Sequence, residues 1–204
     1  MTPTQLLNDL GLFDYGGGGY HCVYMDDKDI EIFKEKKLTA VTNPASNLKL
    51  ASGIAPVSRF LKEGIPVAIG TDGAGSNNCL DMFREMFLVT GLAKYRDMDA
   101  ASTDAIEVLK MATVNGAKAM GLTGSDVLAP GKYADLIMID MHQPNMQPIN
   151  NIAKNIVYSG SKQNVKMTMI DGKILYEDGK FFIGEDPEKL YAKANEIADR
   201  LRQE

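Results

Sequence analysis

Three times in its first half this chain runs from a short apolar segment into an amphipathic one, and that rhythm leaves few folds open. "YHCVY" (20–24), "LTAVT" (38–42) and "IPVAIG" (65–70) are rich in β-branched and aromatic residues on both faces. Asp26 is placed to cap a helix through Lys37, with Ile30 and Phe33 on one face and acids in its first turn. A helix near 55–63 ends at Gly64. Leu80, Phe83, Met86 and Phe87, spaced at three and four, predict a helix from Leu80 to about Tyr95. Strands apolar on both sides that alternate with helices predict a parallel sheet covered by helices. The four glycines at 16–19 read as a flexible approach to the first strand, and "PASN" (44–47) reads as a loop.

A helical stretch from Thr103 to Met120 closes this region, with Gly121 in a C-terminal capping position. Beyond Gly121 the period changes. "YADLIMID" (133–140), "KNIVYS" (154–159), "VKMTMI" (165–170) and "KILYE" (173–177) read as strands, and Asp171-Gly172 is a tight-hairpin signal. Glu185-Asp186-Pro187 opens an amphipathic helix toward the C-terminus.

Composition narrows the function classes. Of 204 residues, 45% are hydrophobic and 24% charged, which suits a globular chain of one domain or a domain and a half. The net charge of −5 is spread among interspersed acids and bases, so neither nucleic acid nor an anionic membrane is an expected partner. The longest apolar window, Phe87 to Ala93, is too short to span a bilayer, and no secretion signal is visible after Met1. Cys22 and Cys79 match no metal-type spacing and read as reduced thiols, so a cytoplasmic location is expected.

In parallel βα architectures ligands gather at the carboxyl ends of strands. Three polar residues fall there: His21, Thr42 and Asp72. A lone His at a strand end is as a rule a hydrogen-bonded structural residue, and Asp72 in "GTDG" reads equally as a turn residue. Two ionisable groups on the ends of one sheet favour a functional reading of both. Ser76, Asn77 and Asn78 read as a loop and helix cap, with substrate contact open because they adjoin Asp72. "GTDGAG" is not a dinucleotide fingerprint, which argues against a nucleotide-binding α/β protein. One His and one Asp do not complete a catalytic zinc site, which usually takes three protein ligands.

Four pieces together carry a family resemblance: "YHCVYMDDKDIEIF", "TNPASNLKLASGIAPV", "VAIGTDGAGSNNCLDMFREM" and "PGKYADLIMIDMHQPNMQP". In this order they resemble the C-terminal half of an amidohydrolase, closest to the 5-methylthioadenosine/S-adenosylhomocysteine deaminases, with chlorohydrolases as cousins. The resemblance implies a partial (β/α)8 TIM barrel, in which the three strands are the sixth, seventh and eighth, plus a small β-sandwich module. Residues 1–121 would then be barrel, 122–184 the β module and 185–204 a C-terminal helix. It implies that Asp72 binds zinc or another divalent metal and takes a proton from water. It implies that His21 hydrogen-bonds that water, so His21 and Asp72 are the expected catalytic residues, and that Ser76 borders a nucleoside-type substrate. The family's His-x-His, its further His ligand and its general acid/base Glu have no counterpart here, so Met1 resembles an internal residue of a longer enzyme. Many relatives carry His where this chain has Thr42, and often where it has Tyr24, which bears on the substrate and leaves Asp72 in place. The expected protein is thus part of a hydrolytic deaminase, inactive alone and associating through exposed barrel edges or as a homo-oligomer. The alternative is a catalytically inactive folding or oligomerisation module.

Overall fold

In the computed structural model, which describes residues 1–203, the apolar runs of the first half form three parallel strands. Helix α1 (Pro3–Asp9) precedes β1 (Gly18–Tyr20), and α2 (Asp27–Glu35) leads to β2 (Thr39–Thr42). Helices α3 (Pro44–Lys49) and α4 (Val57–Lys62) separate β2 from β3 (Val67–Ile69). Next come α5 (Ala74–Asn77), α6 (Met82–Asp97), α7 (Ala105–Ala112), α8 (Val114–Ala119) and, later in the chain, α9 (Ile152–Ser159). The strand order is β1-β2-β3, with Tyr20 opposite Val41 and Thr42 opposite Ile69. By its contacts the chain forms two compact units, the first of residues 1–127 and 141–162, the second of 128–140 and the chain from Gln163 onward.

Local chemistry accounts for much of the first unit. Asp26 and Asp29 form a reciprocal capping box at the start of α2, each carboxylate accepting the other's backbone N–H at 2.8 and 3.1 Å. The apolar stripe of that helix, Ile30 and Phe33, is buried as its spacing predicts. Phe33 joins Phe60, Val67, Val108 and Met111, all no more than 2% exposed, in the core on the helix side of the sheet. Each such side chain contributes about 1.5–3 kcal/mol by leaving water.

Several local expectations are corrected: "PASN", expected as a loop, opens α3 with Pro44 in its first turn, and Ser76 and Asn77 lie in α5. The first strand is Gly18–Tyr20, not 20–24, and two of the glycines lie within it. A β-carbon on Gly18 would stand 2.1 Å from the Thr39 carbonyl oxygen, so the close approach of β1 to β2 requires glycine there. "KNIVYS", expected as a strand, lies in α9. Asn151 caps this helix by accepting the Lys154 N–H at 3.0 Å, and Ala153 and Val157, four apart, are buried as α9 packs on α6 and α7. Helical burial there outweighs the β-propensity of Ile156, Val157 and Tyr158. Residues 141–162 accordingly group with the first unit.

The second unit holds an antiparallel sheet of β4 (Leu136–Ile139), β5 (Val165–Ile170), β6 (Lys173–Glu177) and β7 (Lys180–Phe181), in that order. Asp171 and Gly172 turn β5 into β6 with φ of 49° and 74°, as a type I′ hairpin demands. Asp178-Gly179 repeats the device before β7 with φ of 45° and 84°. Helix α10 (Pro187–Gln203) follows, and Asp186 accepts the Glu188 N–H at its start. Among the described residues no helix is long and apolar enough to cross a membrane.

Candidate active site

The carboxyl ends of β1, β2 and β3 open side by side, and the backbone past the two outer strands is strained. His21 and Cys22, after β1, have φ of 65° and 49°; Asp72, after β3, has φ of 61°. A non-glycine residue in this left-handed region costs about 1–3 kcal/mol and persists only where its surroundings over-determine it. Here they do. The His21 N–H donates to Val41 O at 2.8 Å and to Asn43 Oδ1 at 3.2 Å. The Gly73 N–H donates to Asp72 Oδ1 at 2.8 Å.

Helix α3, which leaves the middle strand, contributes the partners of both outer residues. Ser46 Oγ donates to Asp72 Oδ2 at 2.6 Å, and His21 Nδ1 lies 2.7 Å from Asn47 Oδ1. An amide oxygen only accepts, so His21 carries a proton on Nδ1 and turns Nε2 toward Asp72. His21 Nε2 and Asp72 Oδ2 stand 3.8 Å apart, too far for a direct hydrogen bond and near enough for one water to bridge them. The two side chains therefore converge, each part-exposed, and buried Thr42 ends the strand between them. Ser76, on α5, places its hydroxyl 2.9 Å from the same Asp72 Oδ2.

These contacts set the charge state. The Ser46 hydroxyl above all, then the Gly73 N–H, the Ser76 hydroxyl and His21, hold the Asp72 carboxyl down to about 2. Asp72 is thus a carboxylate at any ordinary pH. Two hydroxyls crowd its Oδ2, whereas one N–H bonds its Oδ1, which keeps a lone pair for another partner. Burial pushes the Cys22 thiol up to about 11, and its Sγ donates to Gly19 O, so Cys22 is no ready nucleophile. Behind the site Glu85, fully buried on α6, has its carboxyl raised by desolvation against the lowering effect of the Ala45 N–H and Asn77.

A divalent ion would find few donors in this set. An ionised carboxylate with a free lone pair suits one coordination position of such an ion. Among the described residues no group of three or more His, Cys, Asp or Glu side chains is placed to hold a metal. The chain fits as the source of one ligand, Asp72, and not as a complete metal shell.

Reasoning from the sequence brought His21, Asp72 and Ser76 together and missed Asn43, Ser46, Asn47 and Glu85. Asn43-Pro44 after a strand is a helix-start signal, since Asn suits the cap and Pro the first turn. Read that way, "NPASN" places Ser46 and Asn47 on an α3 turn beside the strand ends. The exposed face of the sheet bears a groove of about 410 Å³, lined by Gly18, Tyr20, Val41, Ile69 and Met120 among others, and not by His21, Asp72 or Ser76.

Parallel strands flanked by helices, with a carboxylate and an imidazole converging at their carboxyl ends, define an α/β protein with an enzyme-like site. Residues 1–175 match the amidohydrolase family, and the chain belongs to that family. It is 43% identical over 202 residues to a 5-methylthioadenosine/S-adenosylhomocysteine deaminase of Caldanaerobacter subterraneus subsp. tengcongensis, covering 98% of this chain and 46% of that protein. It is 41% identical over 198 residues to a 5'-deoxyadenosine deaminase of Methanosarcina mazei, covering 97% of this chain and 45% of that one. Among solved structures, an adenosine deaminase from Xanthomonas campestris with bound zinc superposes with a TM-score of 0.94 at 33% identity, over 100% of this chain and 46% of that chain. The chain spans about half the length of the curated relatives it matches.

Proposed function

We propose that this chain is the portion of a metal-dependent deaminase that carries Asp72 and His21, acting on an adenosine derivative of the methylthioadenosine or S-adenosylhomocysteine type. The observation that carries the reading is the convergence of His21 Nε2 and Asp72 Oδ2 to 3.8 Å across the end of a parallel sheet. In this reading β1, β2 and β3 are the last three strands of a (β/α)8 barrel, and the four-stranded sheet of the second unit belongs to a small β-sandwich. The names of the relatives support the substrate class.

Asp72 would supply one ligand to a divalent ion, zinc by analogy with the Xanthomonas protein. When bound, such an ion lowers the pKa of a water to about 7. The chain's own residues then do the following. Asp72, held ionised by Ser46, Gly73 and Ser76, accepts a proton from the attacking water and returns it to the leaving nitrogen. His21, fixed by Asn47, aims Nε2 at the same space and orients the incoming oxygen. The water oxygen bonds to the ring carbon bearing the amino group, that carbon–nitrogen bond breaks, and nitrogen leaves as ammonia. Ser76 borders the substrate while bracing Asp72.

Two preparations test this. The 204-residue chain alone, with added Zn²⁺, releases no ammonia from methylthioadenosine or S-adenosylhomocysteine, because one carboxylate does not close a metal shell. A chimera joining the amino-terminal portion of the 43%-identical relative to this chain releases ammonia and loses that activity on Asp72→Asn. A folded, zinc-loaded chimera inert on adenosine derivatives refutes the assignment. The same result would favour the second reading, a folding or oligomerisation module, which the small donor set of this chain supports.

A further inference from the structure

Glu85 has no solvent exposure, sits on α6, and has its polar contacts with Ala45, Asn77 and Arg84 rather than with His21, Asp72 or Ser76. Its Oε2 accepts the Ala45 N–H at 2.9 Å, its Oε1 accepts Asn77 Nδ2 at 2.7 Å, and Arg84 Nη2 stands 3.9 Å from Oε1. The first contact repairs a vacancy in α3. Asn43 occupies the N-cap position of that helix, yet its side chain makes no capping bond, because its Oδ1 is turned to the His21 N–H. Glu85 therefore supplies from α6 the acceptor that Asn43 has withdrawn. Ala45 immediately precedes Ser46 and Asn47, the partners of Asp72 and His21. The second contact reaches the other side of the site. Asn77 follows Ser76, and its Nδ2 also donates at 2.6 Å to the carbonyl of Thr71, the residue before Asp72.

One buried carboxylate thus bonds two segments that meet at the strand ends. A hydrocarbon side chain of similar volume would leave the Ala45 N–H and an Asn77 N–H without this acceptor, so the carboxylate ties the two segments together where packing alone would not. We propose that Glu85 is the positioning residue of the site. It holds α3 and the 71–77 segment at the spacing where Ser46 meets Asp72 and Asn47 meets His21. The catalytic meaning of this role rests on the function proposed above, but the geometry it maintains is measurable without turnover.

The chain has only two histidines, His21 and His142, so the ring nitrogens are readily assigned by long-range ¹⁵N–¹H NMR. At mildly alkaline pH the unsubstituted 204-residue chain is expected to show a proton on His21 Nδ1, and Asn47→Ala to abolish that preference. Glu85→Leu leaves the Ala45 N–H and an Asn77 N–H buried without this acceptor, so it is expected to melt cooperatively at a lower temperature while His21 reverts to a mixture of tautomers. Glu85→Gln, which turns an amide N–H toward one of two donors, is expected to lose part of the preference, and decides the matter if the Leu variant does not fold. If Glu85→Leu and Glu85→Gln both keep the Nδ1 proton while Asn47→Ala loses it, the role of Glu85 is overturned and the site stands. If the unsubstituted chain lacks the Nδ1 proton, the site geometry is overturned and Glu85 with it.

Discussion

Gly70 follows β3, the strand that delivers Asp72, and replacing it with alanine tests how tightly the three strand ends are packed. A β-carbon there would lie 2.6 Å from Asn43 Nδ2 and 3.3 Å from Val41 Cγ1. Ordinary contact begins near 3.4 Å, so the Asn43 amide must retreat by about 0.8 Å. Asn43 is 3% exposed and has no open side to retreat into, and its Oδ1 is already 3.2 Å from the His21 N–H. Moving it breaks that bond. Overpacking of this kind costs about 1–3 kcal/mol, and a buried amide left short of a partner adds about 1 kcal/mol or more. A total near 3 kcal/mol lowers the melting temperature of a chain this long by roughly 6–12 °C. Gly91→Ala is the internal control. Gly91 lies on the exposed side of α6, a β-carbon there meets nothing within 4 Å, and alanine is the better helix former by about 0.5–1 kcal/mol. Thermal melts followed by circular dichroism should therefore move in opposite directions for the two glycine-to-alanine changes. A Gly70→Ala variant that melts within a degree of the unsubstituted chain refutes the close packing of β2, β3 and Asn43.

Ser46→Ala removes the largest influence holding the Asp72 carboxyl down, so that carboxyl should rise from about 2 toward 3.8, read by ¹³C NMR of the side chain. The folded-state value lies below the unfolded one, so the stability Asp72 contributes is complete above pH 3.8 and fades as pH falls through about 2; Ser46→Ala should narrow that window from its acid side. The chain should also self-associate, because β1 and β3 are open parallel edges and the sheet face beside them carries the 410 Å³ groove. Light scattering on a size-exclusion column measures this, and a monomer at high concentration counts against open sheet edges.

What the amino-acid sequence determined by itself is the alternation of elements and the residues at the strand ends. Apolar runs of five or six residues between amphipathic stretches admit little but a parallel βα arrangement. Asp26, Gly64 and Asp171-Gly172 mark their boundaries through local chemistry that needs no distant partner. His21 and Asp72 stood out in the sequence as two ionisable residues near the strand ends of one sheet, and the family resemblance supplied their expected roles. Only the tertiary structure decided the rest. "KNIVYS" has strand-like residues and becomes a helix because α6 and α7 offer a surface to its Ala153–Val157 stripe. The glycines at 18 and 19 form a strand rather than a leader because Thr39 and Phe33 leave no room for a β-carbon. Asn43, Ser46 and Asn47 lie 22 to 26 residues from the partners that give them meaning in the site, and Glu85 lies 40 residues from Ala45. Local propensity reports on neighbours along the chain, whereas a hydrogen bond across the ends of three strands exists only once the sheet has brought those ends together.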